Sequence, residues 1–344
     1  MAYAGLLRDI RTIMRLGKPS RVPVFACSEE FDVKWYEQGT YNEIIADPQK
    51  LADCWIAAIA EFDYDWAWLQ IDDCFEFEPL GVGCKGEGDI LRATCEYLPA
   101  EPATLQKLKM PNPKKDGRMP ILLEAIRRIR AHFGDRVLVT GRTAGPFSSA
   151  ALLYGIQETM MLMLTEPQLL RDTCEFFVEL QTAWGLAQFE AGAHALWLGD
   201  CNAMSNLVSL KQYTDFAFEP CKRLVDAYRK AGGLTFAHNS EIRLPYLEKQ
   251  AEMRPDVLSM GPEADLAEAK KALGRKITLC GNIDQVKYLM SASSREVADE
   301  TVRIMALGKP GGGYIFNTGD MVPRDVPDEN MRTMMRAARQ HGKY

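Results

Sequence analysis

The chain has 344 residues, of which 47% are hydrophobic and 26% are charged, and this composition excludes a disordered or fibrous protein. Its formal net charge of −6 disfavours a nucleic-acid-binding protein, because contacts with phosphate groups require a basic surface. No apolar run approaches the roughly 20 residues of a membrane-spanning helix, and the first residues lack the apolar core of a signal peptide. We therefore expect a cytoplasmic protein that binds neither nucleic acid nor a membrane.

Short segments rich in β-forming residues recur along the chain, and each is followed by a helical pattern. Most of them are continuously apolar, which is typical of parallel strands buried on both faces. Helical patterns include residues 169–192 and the segment that opens with the capping-box sequence Ser293-Ser-Arg-Glu. The eight predicted strands span residues 22–26, 67–71, 137–141, 195–199, 234–238, 256–260, 277–281 and 314–318.

Eight strands with crossover helices predict an α/β fold, a single (β/α)8 TIM barrel. A doubly wound open sheet is the alternative, but no strand is followed by the G-x-G-x-x-G turn that such a sheet often uses for a dinucleotide. We also predict an N-terminal helical extension and a long irregular excursion around residues 86–116, where apolar periodicity is weak. No linker interrupts the pattern, so residues 1–344 are expected to form one domain.

The residues that end or follow the predicted strands are mostly acidic, with one histidine and one arginine. Catalytic side chains of TIM barrels lie at these strand ends, and such a set suits binding of a cation, binding of a metal or protonation of a leaving group. The candidates are Ser28, Glu29, Glu30, Asp72, Asp73, Arg142, Asp200, Cys201, Asn202, His238, Asn239, Ser240, Asn282, Asp284, Asn317 and Asp320.

His238 is the first candidate for catalysis, because it ends a strand and its ring should emerge at the barrel mouth. Asp200 and Asp72 are expected to act with it, although an aspartate at a strand end often caps the following helix. Two adjacent carboxylates cannot both face the barrel axis, so we expect Asp72 rather than Asp73 to point inward. The candidate substrate-binding residues are Arg142, Asn202, Asn282 and Asn317.

The nine cysteines include neither a CxxC pair nor a Cys/His pair at zinc-finger spacing. An odd number of cysteines in a large chain without a secretion signal indicates reduced and mostly buried thiols. Cys201 is the exception, because it lies near the predicted mouth beside Asp200.

Several motifs of the C-terminal third occur in an order that is typical of one family. The sequence resembles the uroporphyrinogen decarboxylase superfamily, and particularly its corrinoid-dependent methyltransferase branch, with weaker matches over nearly the whole chain. The resemblance implies one (β/α)8 barrel with an active site at the mouth. The motifs are His238-Asn-Ser, Pro255-Asp-Val-Leu-Ser, Cys280-Gly-Asn-Ile-Asp and the run Gly-Gly-Gly-Tyr-Ile-Phe-Asn-Thr-Gly-Asp that ends at Asp320.

The match to the decarboxylase itself is incomplete. Asp72 corresponds to the aspartate that holds the pyrrole nitrogens in that enzyme, but the sequence Ala-Cys-Ser-Glu-Glu at residues 26–30 replaces its arginine-rich substrate motif. A tetrapyrrole that carries many carboxylates needs arginines for charge-assisted pairing. The acidic mouth therefore disfavours decarboxylation of such a substrate.

The methyltransferase branch matches better but also differs at its zinc site. Members that methylate a thiol hold zinc with a His-x-Cys motif and a later cysteine, and the matching positions here are His238, Ser240 and Asp320. Both thiolates are therefore missing. A metal on His238 and Asp320, with Asp200 as a further candidate, would be a stronger Lewis acid than a zinc–thiolate site, so zinc stays a possible cofactor without its usual cysteine ligands.

The resemblance thus implies a methyltransferase that removes a methyl group from a small methylated compound and passes it to Co(I) of a corrinoid. An O-methyl aromatic is the first substrate class and a methylamine the second. Because eight strand–helix pairs use the chain, the cobalamin is expected on a separate protein that docks at the mouth. The alternatives are methyl transfer from the corrinoid to a thiol or pterin, decarboxylation, and a barrel that binds a ligand without catalysis.

Overall fold

Residues 3–344 are described by a computed structural model, in which a parallel β-sheet curls into a TIM-barrel-like α/β fold. The strands are β1 (Trp66–Trp68), β2 (Gly83–Lys85), β3 (Ala93–Glu96), β4 (Leu138–Ala144), β5 (Ala195–Gly199), β6 (Leu234–His238), β7 (Val257–Ser259), β8 (Thr278–Cys280) and β9 (Tyr314–Ile315). Seven of them form the parallel sheet in the order β1-β4-β5-β6-β7-β8-β9, whereas β2 and β3 form a separate antiparallel hairpin. The near-complete burial of the seven strands accounts for their apolar sequences.

Helices alternate with the strands of the sheet and cover its outer face. They are α1 (Leu6–Met14), α2 (Glu29–Tyr36), α3 (Tyr41–Ile45), α4 (Pro48–Phe62), α5 (Pro102–Lys107), α6 (Met119–Phe133), α7 (Pro146–Tyr154), α8 (Ile156–Thr165), α9 (Pro167–Ala191), α10 (Leu210–Gln212), α11 (Glu219–Lys230), α12 (Leu244–Ala251), α13 (Leu266–Leu273), α14 (Ser294–Gly308) and α15 (Asp328–His341). The predicted capping box at Ser293 is present and opens α14. Within residues 3–344, no helix has both the length and the apolarity needed to cross a membrane.

The first predicted strand, residues 22–26, is not a regular strand, although it closes the barrel. The Phe25 N–H donates to the Phe316 carbonyl and the Phe316 N–H to the Pro23 carbonyl, while on the other side the Asp65 N–H donates to the Val24 carbonyl. Pro23 has no N–H to donate, and the N–H of Val24 is taken by the Asp65 side chain. The ladder is therefore too sparse for a strand, but it joins β9 to β1.

The segment 86–116 is less irregular than its sequence suggests. It contains β3, which pairs with β2, and the short helix α5. Both elements are shorter than the window over which apolar periodicity can be recognised, so the sequence gives little sign of them. The predicted N-terminal extension is present as α1, and it packs against the sheet through a hydrogen bond from the Thr278 hydroxyl to the Ile13 carbonyl.

Asp65 connects the parts of the chain that meet where the barrel closes. Its buried carboxylate accepts hydrogen bonds from the Val24 N–H at 2.9 Å, from Arg21 at 2.8 Å and from Arg339 of α15 at 2.5 Å. The two guanidinium groups offset the cost of burying this charge, and each depends on it in turn. One side chain thereby ties the closing segment, the start of β1 and the last helix together.

Substituting Asp65→Ala is expected to lower the free energy of unfolding by roughly 3 kcal/mol, because it leaves two guanidinium groups and one N–H without their buried acceptor. Urea denaturation followed by circular dichroism measures the loss. Asp325→Ala is the matched control, since Asp325 forms an exposed ion pair with Lys34, and its removal should leave the unfolding curve nearly unchanged. Equal effects of the two substitutions would contradict the role given to Asp65.

Candidate active site

A cavity of about 100 Å³ opens at the end of the barrel where the parallel strands terminate. Its position is that of the active site in TIM barrels. Residues from several strand ends and from the loops after β1, β5 and β9 form its walls. The lining residues that matter for its chemistry are Trp68, Asp73, Arg142, Trp197, His238 and Asp320.

His238 lies in the middle of a chain of hydrogen bonds that reaches the cavity. Its Nδ1 atom lies 3.1 Å from the Ser259 hydroxyl, and its Nε2 atom lies 3.1 Å from the Ser240 hydroxyl. The Ser240 hydroxyl in turn donates to Asp320 Oδ2 at 2.5 Å. Since Ser240 gives its only proton to Asp320, we assign the ring proton of His238 to Nε2, with Nδ1 accepting from Ser259.

Burial decides the charge of His238. Its side chain is only 4% exposed and its ring lies 4.7 Å from the Trp197 ring, centroid to centroid. This burial lowers the pKa of His238, whereas the nearby Asp320 carboxylate, whose Oδ1 atom lies 4.0 Å from Nε2, raises it by less. The imidazole is therefore neutral at neutral pH and donates through one nitrogen.

The two predicted metal ligands, His238 and Asp320, are brought to the same edge of the cavity, but they do not complete a zinc site. A catalytic zinc ion takes three protein ligands and one water, usually nitrogen, thiolate or carboxylate donors. Here the further nearby donors are the neutral hydroxyl of Ser240, which already donates to Asp320, and the Cys201 thiol, whose sulfur lies 3.9 Å from that hydroxyl and whose pKa is raised by burial. Within residues 3–344, the one grouping of His, Cys, Asp or Glu side chains with metal-ligand spacing lies elsewhere and lines no part of this cavity.

Arg142, a predicted substrate-binding residue, lines the cavity, but its charge is already paired. Its guanidinium donates from Nη1 to Glu76 at 2.6 Å, from Nη2 to Asp73 at 2.9 Å and from Nε to Gln70 at 3.1 Å. The Glu76 side chain is completely buried, whereas the Asp73 side chain is about half exposed. Arg142 therefore offers a substrate no uncompensated positive charge.

The expectation that Asp72 rather than Asp73 faces the cavity is wrong. Asp73 lines the cavity, whereas the buried Asp72 carboxylate accepts two hydrogen bonds from Arg118, at 2.9 and 3.1 Å, and one from the Cys74 N–H at 2.8 Å. Arg118 immediately precedes α6, so its pairing with Asp72 could not be read from the sequence around the strand. Asp72 therefore stabilises the loop that follows β1.

The Asp200 carboxylate is held by residues of α7 and α11 rather than by the His238 ring. Its Oδ1 accepts from the Ser148 N–H at 2.9 Å, in the first turn of α7, and its Oδ2 accepts from the Cys221 thiol at 3.2 Å. Burial raises the pKa of Asp200. Asp200 thus has the contacts of a helix-capping aspartate, the alternative raised for strand-end aspartates in the sequence. Asn202, the third residue of this group, does line the cavity.

The remaining two predicted substrate-binding residues are not brought to the cavity. Asn282 donates to the carbonyls of Gly261 and Ala264, at 3.0 and 2.8 Å, and so holds the loop that follows β7. Asn317 is completely buried behind Cys27, with its Nδ2 atom 3.4 Å from the Cys27 sulfur. Both side-chain amides serve buried partners of the protein itself.

Sequence reasoning missed two residues of the site. Ser259 orients His238 from the end of β7, and the indole of Trp68 lines the cavity with a buried N–H that has no partner within residues 3–344. Both residues lie inside predicted strands, so the alternation of side chains along a strand could have directed attention to them.

The geometry defines an enzyme-like barrel with a histidine-centred site at its mouth, and the sequence profile described as Uroporphyrinogen decarboxylase (URO-D) matches residues 9–341. The chain belongs to this family. Uroporphyrinogen decarboxylases from Anaeromyxobacter dehalogenans and Saccharophagus degradans are 27% and 23% identical to it, over 88% of this chain in both cases and 88% and 86% of the relatives.

Two solved structures share the fold of this chain. A methyltransferase from Methanosarcina mazei superposes with a TM-score of 0.87 at 19% identity, over 97% of this chain and 98% of the other. A B12-independent methionine synthase from Shewanella superposes with a TM-score of 0.59 at 12% identity, over 87% of each chain. At these identities the likeness concerns the fold, and it confirms the predicted barrel.

One buried acid beside the mouth residues makes stability depend on pH. Asp32 of α2 is 2% exposed, and its carboxyl group accepts from the Ser28 hydroxyl at 2.7 Å and from the Tyr64 hydroxyl at 3.1 Å. Burial outweighs these hydrogen bonds and raises the pKa of Asp32 to about 8. The folded protein therefore holds a proton on Asp32 that the unfolded chain releases near pH 4.

Because the folded state binds this proton more tightly, the contribution of Asp32 to stability is largest below about pH 4 and is lost as the pH rises to about 8. The expected slope is about 1.4 kcal/mol per pH unit. Asp32→Asn should remove that slope, so the variant gains stability relative to the wild type between pH 5 and pH 8. Urea denaturation across this range is the measurement. Asp172→Asn, at an exposed position, should keep the wild-type slope, and an unchanged slope in Asp32→Asn would contradict the assignment.

Proposed function

We propose that this protein is a corrinoid-dependent methyltransferase that removes a methyl group from a small methylated compound. The observation that carries the proposal is the chain Ser259–His238–Ser240–Asp320, which ends at a cavity with aromatic walls. When a methyl group leaves an ether or an amine, the oxygen or nitrogen left behind must be stabilised by a hydrogen bond or a proton. A reduced corrinoid on a partner protein would supply the nucleophile that accepts the methyl group.

The residues of the chain can serve the departing heteroatom without a metal ion. The Nε2–H group of His238 is a neutral donor held in direction by Ser259 and Ser240, and it serves the departing heteroatom when that atom replaces the Ser240 hydroxyl as its acceptor. Asp320 is one-third exposed and is linked to His238 through Ser240, which gives protons a route from solvent to the buried ring. Ser259 donates to Nδ1 and so keeps the ring proton of His238 on Nε2, the nitrogen that faces Ser240.

The cavity favours a neutral or cationic substrate over an anionic one. Arg142 is paired with Glu76 and Asp73. Among Arg142, Asp73 and Asp320, the charged residues that line the cavity, Asp320 is therefore the one without an oppositely charged arginine beside it. Trp68 and Trp197 meet edge to face with ring centroids 5.4 Å apart and offer apolar walls to an aromatic ring. We therefore rank an O-methyl aromatic first and a methylamine second.

Decarboxylation of uroporphyrinogen is the second candidate, because the curated relatives carry that name. Two contacts weigh against it. The aspartate at the matching position, Asp72, is held by Arg118, and the one arginine of the cavity, Arg142, is already paired with carboxylates. A substrate rich in carboxylates would meet Asp73 and Asp320 without a free cation to bind it.

The direct test is to incubate the protein with cob(I)alamin, free or on a corrinoid protein, and a panel of methoxylated aromatics and methylamines. Absorbance spectra report conversion to methylcobalamin. We expect conversion with at least one methoxylated aromatic. Uroporphyrinogen should release no carbon dioxide under the same conditions. Conversion with none of the donors, or decarboxylation of uroporphyrinogen, would reject the proposal.

Substituting His238→Ala should lower the rate of methyl transfer by about 10²- to 10⁴-fold, because it removes the donor at the centre of the chain. Ser259→Ala should have a smaller effect, since it frees the ring orientation but leaves the donor in place. His132→Ala is the matched control, because His132 is exposed on α6. Circular dichroism checks folding. Equal rates in His238→Ala and His132→Ala would show that the hydrogen bonds centred on His238 do not contribute to methyl transfer.

The double substitution Ser240→Cys and Asp320→Cys tests the direction of transfer. It supplies the two thiolates that thiol-methylating relatives use with histidine to hold zinc. We expect the variant to retain zinc in elemental analysis and to lose methyl removal, while the wild type demethylates methylcobalamin with a thiol no faster than buffer does. Thiol methylation by the wild-type protein would instead support the reverse reaction.

A further inference from the structure

Two cysteines that the candidate active site does not use lie close together beside the hairpin. The Sγ atoms of Cys74 and Cys84 and a carboxylate oxygen of Glu78 all lie within 4.8 Å of one another. Cys74 is completely buried, whereas Cys84, the middle residue of β2, is partly exposed. The two sulfur atoms are therefore neighbours in space but differ in access to solvent.

The chain holds this pair in place from both sides. The Cys74 N–H donates to Asp72, and the Cys74 carbonyl accepts from the N–H groups of Phe77 and Glu78, which winds the chain into one turn. On the other side, Arg92 donates to the Cys84 carbonyl at 3.3 Å and to Glu78 Oε1 at 2.8 Å. Both thiols are thus fixed by hydrogen bonds of the backbone rather than by chance contact of loops.

The surroundings favour a thiolate on Cys84. The neighbouring Cys74 thiol lowers the pKa of Cys84, and this effect outweighs burial and the carboxylates of Glu78 and Asp72, which raise it; Arg92 adds a smaller lowering. The proximity of Cys84, together with burial, raises the pKa of Cys74, which keeps its proton. A partly exposed thiol of lowered pKa beside a buried second thiol is the arrangement of redox-active cysteine pairs.

A metal ion fits this cluster less well than a redox reaction does. Glu78 would have to be the third ligand, but its Oε1 accepts from Arg92 at 2.8 Å and its Oε2 accepts from Arg118 at 3.0 Å. Two guanidinium groups thus occupy the carboxylate and would repel a divalent cation.

We propose that Cys74 and Cys84 form a reversible dithiol–disulfide pair that reacts with small-molecule disulfides. The Cys84 thiolate attacks one sulfur of the disulfide, forming a mixed disulfide and releasing one thiolate. Cys74 then gives up its proton and attacks the Cys84 sulfur, which forms the Cys74–Cys84 bond and releases the second thiolate. The two cysteines are oxidised by two electrons, and the disulfide is reduced to two thiols.

Cys74 is adjacent in sequence to Asp73, the cavity residue that pairs with Arg142. The chemistry nevertheless requires no methyl transfer. It can therefore be tested whether or not the proposed function is correct.

The test is to treat the purified wild-type protein with oxidised glutathione and to map its cysteines by mass spectrometry under denaturing conditions. We expect one intramolecular disulfide between Cys74 and Cys84 that dithiothreitol reverses. In Cys74→Ser, and in Cys74→Ala as a second variant against misfolding, oxidation should stop at glutathione attached to Cys84. Cys95→Ser and Cys201→Ser, which remove exposed thiols, are the matched controls and should retain the disulfide.

Three results would overturn the proposal. One is a disulfide that joins Cys84 to Cys95 instead of Cys74. Another is stable glutathione on Cys84 in the wild-type protein, which would mean that Cys74 does not reach it. The third is zinc that survives dialysis of the wild type and is lost in Cys84→Ser, which would assign the cluster to a metal.

Discussion

The closing of the parallel sheet is the constraint on which the candidate site depends. In a flat sheet β6 and β9 would be separated by β7 and β8, so side chains at their ends would lie about 14 Å apart at the usual strand spacing. The hydrogen bonds of residues 22–26 join β9 to β1 and force the sheet to curl. Ser240, after β6, can then donate to Asp320, after β9, across the mouth.

The sequence predicts the elements of the barrel better than their side-chain contacts. The bounds of β5 and β6 match the prediction because each is a mostly apolar run limited by a polar residue, Asp200 after β5 and His238 at the end of β6. Residues 22–26 do not form a strand, since a proline and a side-chain acceptor replace its ladder. Local patterns report burial and periodicity, whereas the partners of a backbone N–H depend on residues far away in the chain.

The same limit explains which site residues could be predicted. The position of His238 follows from the end of its strand, and that of Asp320 from the loop after the last one. The orientation of Asp72 does not, because it is set by Arg118 from the start of another helix. The orientation of Asp200 is likewise set by a hydrogen bond from the first turn of α7. An acidic rim is visible in the sequence, but the pairing that removes acids from it is a property of the packed barrel.

Pairing also changes what the acidic rim means for a ligand. Arg118 pairs with Asp72 and Glu78, and Arg142 pairs with Glu76 and Asp73, so the net charge of the chain says little about the cavity. What remains at the edge is a carboxylate linked through Ser240 to a neutral, buried imidazole. Two thiolates at these positions would bind a soft metal and a thiol, whereas a hydroxyl and a carboxylate transmit a proton. The proposed removal of a methyl group, rather than methylation of a thiol, therefore rests on oxygen in place of sulfur at these two strand ends.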